Sequence, residues 1–155
     1  QSFIVGKTPF SVTARVVMGD WTDSHLLVGF RKKAVYTADY NNYTDLAAIG
    51  SGAAAGDTIT TTGILNNAAT VATASAASFA DGVSVILRIH VAYDGTVTAY
   101  VNGTKYPIYS VGTTTLILDA GDEMIPFYQH VNIGSGNPAV SIGEFFAVST
   151  DSLII

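Results

Sequence analysis

The chain has 155 residues and no cysteine, which excludes disulfide frameworks, Cys-type zinc sites, thiol catalysis and iron–sulfur clusters together. The absence also fits assembly in a reducing cytoplasm. Charge is scarce, at 12% of residues, about half the usual share. Lys and Arg number only 7 and the net charge is −5, so the chain is a poor candidate for nucleic-acid binding, which rests on neutralising phosphates. Its one basic cluster, Arg31-Lys32-Lys33, reads as a solvated strand end or a subunit contact. Long apolar runs are lacking too. Hydrophobic residues reach 48%, yet no stretch approaches the roughly 18 apolar residues of a membrane span, so no membrane segment is expected. So much apolar content with so little charge fits a surface partly covered by other subunits, or one built of Thr, Ser, Asn and Gly. The chain opens on Gln1 rather than Met. A trimmed or processed start is expected, and no targeting segment is read from it.

Strand-type alternation fills the space these absences leave. Phe10, Val12, Ala14, Val16 and Met18 share one face against Ser11, Thr13 and Arg15 on the other, the pattern of a half-buried strand. Val83, Val85, Leu87, Ile89 and Val91 repeat it. Asp94-Gly95 follows, a dipeptide suited to a type I′ turn, then Val97, Ala99 and Val101, then a second turn at Asn102-Gly103. Residues 83–110 therefore read as a three-strand meander. Further strands are expected around Leu26–Phe30, with Ala34–Asp39 continuing or pairing with it, and at Thr58–Thr62, Thr70–Thr73, Thr113–Asp119, Ile125–Ile133 and Ala139–Val148. Small residues at Ala72–Phe79 admit a helix, although Thr and Ser weaken it, and the segment 50–80 reads best as ordered loops and edge strands. No repeat or linker interrupts the chain. The expectation is one domain over residues 1–155, an all-β, two-sheet antiparallel jelly-roll sandwich of about ten short strands with little or no helix.

A catalytic set is hard to assemble. Glu123 and Glu144 are the only glutamates, far apart in sequence, whereas glycoside hydrolysis needs two carboxylates flanking a cleft. His25, His90 and His130 fall on separate strands, without the converging spacing that zinc requires, and read as polar strand positions on a solvent or interface face. No Gly-x-Ser-x-Gly elbow is present, and Gly134-Ser135-Gly136 lacks the following helix of a phosphate loop. Asp20, Asp23, Asp57, Asp81, Asp94 and Asp119 occupy turn-like positions, where Asp serves turns more often than calcium. No catalytic residue, cofactor or metal site is expected. Tyr36, Tyr40 and Tyr43, interleaved with Asn41 and Asn42, form a loop suited to sugar stacking or to a protein interface, and Trp21 is a candidate platform of the same kind. The apolar ends, Phe3-Ile4-Val5 and Leu153-Ile154-Ile155, are candidate contacts for a partner, with residues 1–8 and 150–155 acting as arms.

Two resemblances add to this reading. The stretch His90-Val-Ala-Tyr-Asp-Gly-Thr-Val-Thr-Ala-Tyr-Val-Asn-Gly103 resembles the hairpin of concanavalin A-like and laminin G-like sandwiches. A wider pattern is similar to small structural proteins of tailed bacteriophages: Val28-Gly-Phe-Arg-Lys32, Tyr43-Thr-Asp-Leu-Ala-Ala-Ile49, Ile64-Leu-Asn66, Ala80-Asp-Gly82 and Gly121-Asp-Glu-Met-Ile-Pro-Phe127. The resemblance implies a virion component, assembled in the host cytoplasm. It would be a capsid decoration subunit that contacts the major capsid protein and self-associates as a trimer or dimer. The lectins' paired metal loop has no matching positions. The alternative is a glycan-binding, lectin-like module of a phage fibre or a polysaccharide-active protein.

Overall fold

The computed structural model describes residues 1–21, 24–51, 58–132 and 140–149. Among them the chain forms β1 (Phe3–Ile4), β2 (Phe10–Met18), β3 (Ser24–Lys32), β4 (Leu46–Gly50), β5 (Thr58–Ile64), β6 (Val71–Ser78), β7 (Val85–Val91), β8 (Val97–Val101), β9 (Thr104–Pro107), β10 (Glu123–Asn132) and β11 (Val140–Ser149). The helical content of the described residues is a single 3-10 turn at Tyr40–Asn42. The strands make a six-stranded sheet in the order β1-β10-β3-β4-β5-β6 and a five-stranded sheet in the order β11-β2-β7-β8-β9. All pairings between these strands are antiparallel. The fold is the expected all-β jelly-roll sandwich.

Alternation builds the core. Phe10, Val12, Ala14, Val16 and Met18 of β2 are wholly buried, as are Leu87, Ile89 and Val91 of β7. From the six-stranded sheet they meet Leu26, Val28 and Phe30 of β3 and Ala47 and Ile49 of β4. Phe10 stacks on Phe3 at 5.0 Å between ring centroids and meets Phe30 edge-on at 4.8 Å, so one aromatic trio clamps the two sheets.

Residues 1–8 depart from the expected arm. Phe3 and Val5 are buried in the chain's own core, and only Ile4 of that trio is exposed. β1 pairs with β10, and the Val5 amide donates to the Asp122 carbonyl at 3.0 Å. The apolar side chains of this segment are more stably placed inside their own sandwich than in water. Leu153, Ile154 and Ile155 lie outside the described residues.

The 50–80 segment supplies an edge strand as expected: residues 71–78 form β6, and pairing with β5 overrides the weak helical propensity of Ala72–Phe79. Three local expectations change. Ala34–Asp39 is loop, and Thr113–Asp119 contributes only one isolated bridge, Thr96 to Ile117. At Asp94-Gly95 only the glycine has positive φ, at 84°. The Gly95 amide donates to Ala92 O, and Asp94 Oδ1 accepts from the Thr96 amide at 2.9 Å. This is a three-residue loop ending in a left-handed glycine, not a type I′ turn. Asn102-Gly103 makes the second hairpin turn expected, with positive φ at both residues, 48° and 85°, as type I′ requires.

Candidate functional site

The outward face of the six-stranded sheet carries a third layer. Because Leu26, Val28 and Phe30 point into the core, the alternate residues His25, Leu27, Gly29 and Arg31 face outward. Register sets Val131, Gln129, Phe127 and Ile125 of β10 beside them, and Gly50, Ala48 and Leu46 of β4 on the other flank, next to Leu27, Gly29 and Arg31. Left bare, this face would be an apolar patch. Leu27, Leu46, Ala48 and Ile64 are instead buried with Tyr43, and Tyr40 and Phe127 pack against them.

The cover is the segment 33–45. Asp39 caps its 3-10 turn, accepting from the Asn41 amide at 3.0 Å and from Asn41 Nδ2 at 2.8 Å on the same carboxylate oxygen. Tyr43 holds the loop from beneath. Its hydroxyl accepts from the Thr37 amide at 3.2 Å and donates to the Thr37 carbonyl, and the Arg31 guanidinium lies 4.7 Å above its ring. Three further ties fasten the cover. Thr70 Oγ1 donates to Asn41 Oδ1 at 2.6 Å, the Asn67 amide donates to Thr44 O at 2.7 Å, and Gln129 Nε2 donates to Ala38 O. At its far end Lys32 Nζ bridges Asp122 at 2.6 Å and the buried Asp45 at 3.4 Å. Those two carboxylates hold the Lys32 ammonium above its ordinary range, chiefly through the Asp122 hydrogen bond.

Between cover and sheet lies a cavity of about 200 Å³, lined by His25 and Leu27 of β3, Gln129 and Val131 of β10, and Ala38, Asp39 and Tyr40 of the cover. Its lining mixes apolar Leu27, Val131 and Ala38 with polar groups from the sheet face, His25 and Gln129, and from the cover, Asp39 and Tyr40. His25 Nε2 and Gln129 Oε1 are buried without hydrogen-bond partners among the described residues. Burial pushes the His25 imidazole below its usual pKa, so it is neutral at pH 7. Burial, and secondarily the Asp39 charge, pushes the Tyr40 phenol upward and keeps it protonated. An apolar pocket with a few convergent polar groups is the usual form of a small-ligand site, and each unpartnered buried polar atom can gain a hydrogen bond from an incoming hydroxyl.

Of the aromatic residues expected to matter, only Tyr40 lines this cavity. Tyr43 is buried as its support, and Tyr36 stands 66% exposed on the loop. Trp21 is wholly buried, stacked on Phe79 with ring centroids 3.4 Å apart, so it serves the core and offers no platform. In the sequence His25 reads as a polar strand position. Gln129, Leu27, Val131, Ala38 and Asp39 carried no signal, because only strand register brings them together. His90 and His130 lie on β7 and β10, away from the cavity lining. Glu123 pairs with Lys33 at 2.9 Å and Glu144 with Arg15 at 3.6 Å, on different sheets. Among the described residues no three His, Asp or Glu side chains gather as metal ligands.

No protein-family model matches the chain, and no curated protein sequence does. Solved structures do match. The carbohydrate recognition domain of Emp47p is similar over 96% of this chain and 75% of its own, with TM-score 0.64 and 12% identity. Sheep galectin-11, solved with glycerol, is similar over 96% of this chain and 95% of its own, with TM-score 0.58 and 8% identity. Alginate lyase PA1167 of Pseudomonas aeruginosa is similar over 96% of this chain and 68% of its own, with TM-score 0.59 and 13% identity. At such identities the likeness shows a galectin- and concanavalin A-like jelly-roll fold and nothing finer. None of these three is a phage protein by its description.

Proposed function

We propose that this chain binds carbohydrate, without transforming it, in the cavity beneath the 33–45 cover. The observation that carries the reading is the pairing of the apolar side chains Leu27 and Val131 with the unsatisfied atoms His25 Nε2 and Gln129 Oε1 beside them and the ring of Tyr40. A pyranose presents the matching surface, an apolar face edged by hydroxyls. The lectin-type neighbours, a carbohydrate recognition domain and a galectin, support this in preference to the capsid reading. A non-catalytic role is supported by the carboxylates. Among the described residues the cavity wall holds one, Asp39, where the glycosidase pair needs two. Glycan-array screening followed by calorimetry tests the reading. Binding to a defined saccharide set, lost in Tyr40→Ala and Gln129→Ala variants that keep their circular dichroism, is the expected result. Absence of binding across the array refutes it, and release of shorter products from a bound polysaccharide would refute the non-catalytic part.

A second reading, subunit assembly, has its own observation. β11 is an edge strand of 10 residues whose Phe145, Phe146 and Val148 are exposed, with exposed Tyr128 meeting Phe145 edge-on at 5.5 Å. Long apolar edges favour pairing with another chain. This is the surface through which a virion subunit would contact the major capsid protein or its own copies, and co-sedimentation with capsids is its test.

A further inference from the structure

We propose that the cavity takes an uncharged saccharide and discriminates against uronates and sulfated sugars. The inference rests on reading the cavity as a glycan site, and it follows from the location of every positive charge in the molecule.

All 7 cations lie within the described residues, and none lines the cavity. Arg31 shares the outward face of β3, but its guanidinium donates to Ala34 O at 3.0 Å and covers the Tyr43 ring. Lys32 is held between Asp45 and Asp122, and Lys33 donates to both oxygens of Glu123 at 2.9 and 3.0 Å. Arg15 pairs with Glu144, and Arg88 lies over Tyr100 at 5.6 Å, both on the five-stranded sheet. Lys7 follows β1 in the turn to β2, and Lys105 lies on β9. Among the described residues the one ionised group in the cavity wall is therefore negative, Asp39. His25 adds no positive charge at pH 7. Of the groups lining the cavity with it, Asp39 is charged, Tyr40 is protonated, and Leu27, Ala38, Gln129 and Val131 are neutral.

A carboxylate or sulfate entering this space would lose water, find no counter-charge and meet Asp39, which is how a site rejects one ligand class while hydrogen-bonding another. The sheet framework shared with an alginate lyase thus carries a site of the wrong charge for an acidic polymer. A neutral sugar meets no such barrier. Its hydroxyls can donate to Gln129 Oε1 and to the carboxylate, and can exchange hydrogen bonds with the His25 ring nitrogen and the Tyr40 phenol.

The test is a matched panel at pH 7 in low salt: neutral pyranosides and their oligomers, N-acetylated neutral sugars, uronate oligomers and sulfated oligomers. Affinity is measured for the full chain and for Asp39→Asn, which keeps an oxygen to cap the 3-10 turn. The expected result is that neutral ligands bind at least about tenfold more tightly than uronate counterparts, a difference of about 1.4 kcal/mol. In Asp39→Asn that ratio should shrink severalfold. Uronates binding as tightly as neutral sugars would overturn the charge inference and leave the glycan reading standing. A selectivity ratio unchanged in Asp39→Asn would overturn the role given to that carboxylate. Failure of every saccharide to bind would overturn both readings.

Discussion

Between the sheets, Phe10, Val12, Leu87 and Ile89 are fully buried among other apolar side chains, whereas beneath the 33–45 cover Leu27, Ile64 and Tyr43 share their layer with polar groups. His25, Asp45, Thr62 and Gln129 each keep a buried side-chain atom there without a hydrogen-bond partner among the described residues. Asp45 Oδ2 is compensated in part by Lys32, 3.4 Å away. The first interior is dominated by dispersion and burial, with Trp21 Nε1 buried there without a partner among the described residues and Thr61 Oγ1 donating to the Pro107 carbonyl across it. The second retains unused hydrogen-bonding capacity, which costs stability unless water or a ligand meets it. A site that must exchange water for sugar belongs in the second kind of layer.

Truncating one aromatic in each layer breaks the comparison most sharply. Phe10→Ala removes the ring that joins Phe3 to Phe30 across the sheets and is expected to cost about 3–5 kcal/mol in urea unfolding. Tyr43→Ala should cost less, about 2 kcal/mol, because its cluster is small, yet it releases Arg31 and Thr37 and should abolish saccharide binding in protein that remains folded. If Tyr43→Ala proved as costly as Phe10→Ala, the cover would be part of the main core and not a separate layer.

The next effect is set by pH. Burial lowers the pKa of His25, His90 and His130, with Arg88 contributing secondarily at His90. A base whose pKa falls on folding binds fewer protons in the native state than in the unfolded one. Stability therefore rises with pH across that interval. It is full above the ordinary value of 6.5 and is lost as the pH falls through the lowered native values. Thermal melts should shift to lower temperature on acidification below about pH 6.5, before the carboxylates matter. Asp94 and Glu123, held low chiefly by hydrogen bonds from Thr96 and Lys33 respectively, add their losses only in more acidic solution. The comparison is sharpened by His25→Gln, which should remove only the outer layer's share of the pH response, and melts unaltered between neutral and mildly acidic pH would count against the partial desolvation of the imidazoles.

The two layers also differed in how far the sequence revealed them. The inter-sheet core was legible because one strand at a time encodes it: β2 and β7 alternate so regularly that Phe10 to Met18 and Val85 to Val91 announce their buried faces. Asn102-Gly103 was legible because few dipeptides accept positive φ twice. Asp94-Gly95 misled because the Asp side chain bonds the Thr96 amide and stabilises a longer loop. The cavity was not legible. Leu27 and Gln129 are 102 positions apart, joined only by β3–β10 register, and the cover that roofs them has no periodicity. Tyr40 and Tyr43 were noticed for their chemistry, but nothing local distinguishes the residue that lines the cavity from the one that supports it.

The smallest effect is also the most discriminating, because it turns on sign and uses two neighbouring residues of one strand. Thr61 and Thr62 of β5 are both buried and point to opposite faces. Thr61 pairs with Ile49 and Thr62 with Ala48, so the first faces the inter-sheet side and the second the outer layer. Thr61 Oγ1 donates to the Pro107 carbonyl at 3.0 Å, while Thr62 Oγ1 has no partner among the described residues. Thr61→Val discards a made hydrogen bond and leaves its acceptor wanting, an expected loss of about 1 kcal/mol. Thr62→Val replaces a desolvated, unpartnered hydroxyl with a methyl group of nearly the same size. Its expected change is between nothing and a gain of about 1 kcal/mol, read as an unchanged or raised urea midpoint with the slope unaltered. If Thr62→Val instead destabilises as Thr61→Val does, its hydroxyl is already satisfied by ordered water, and the outer layer is wetter than the contrast with the core implies.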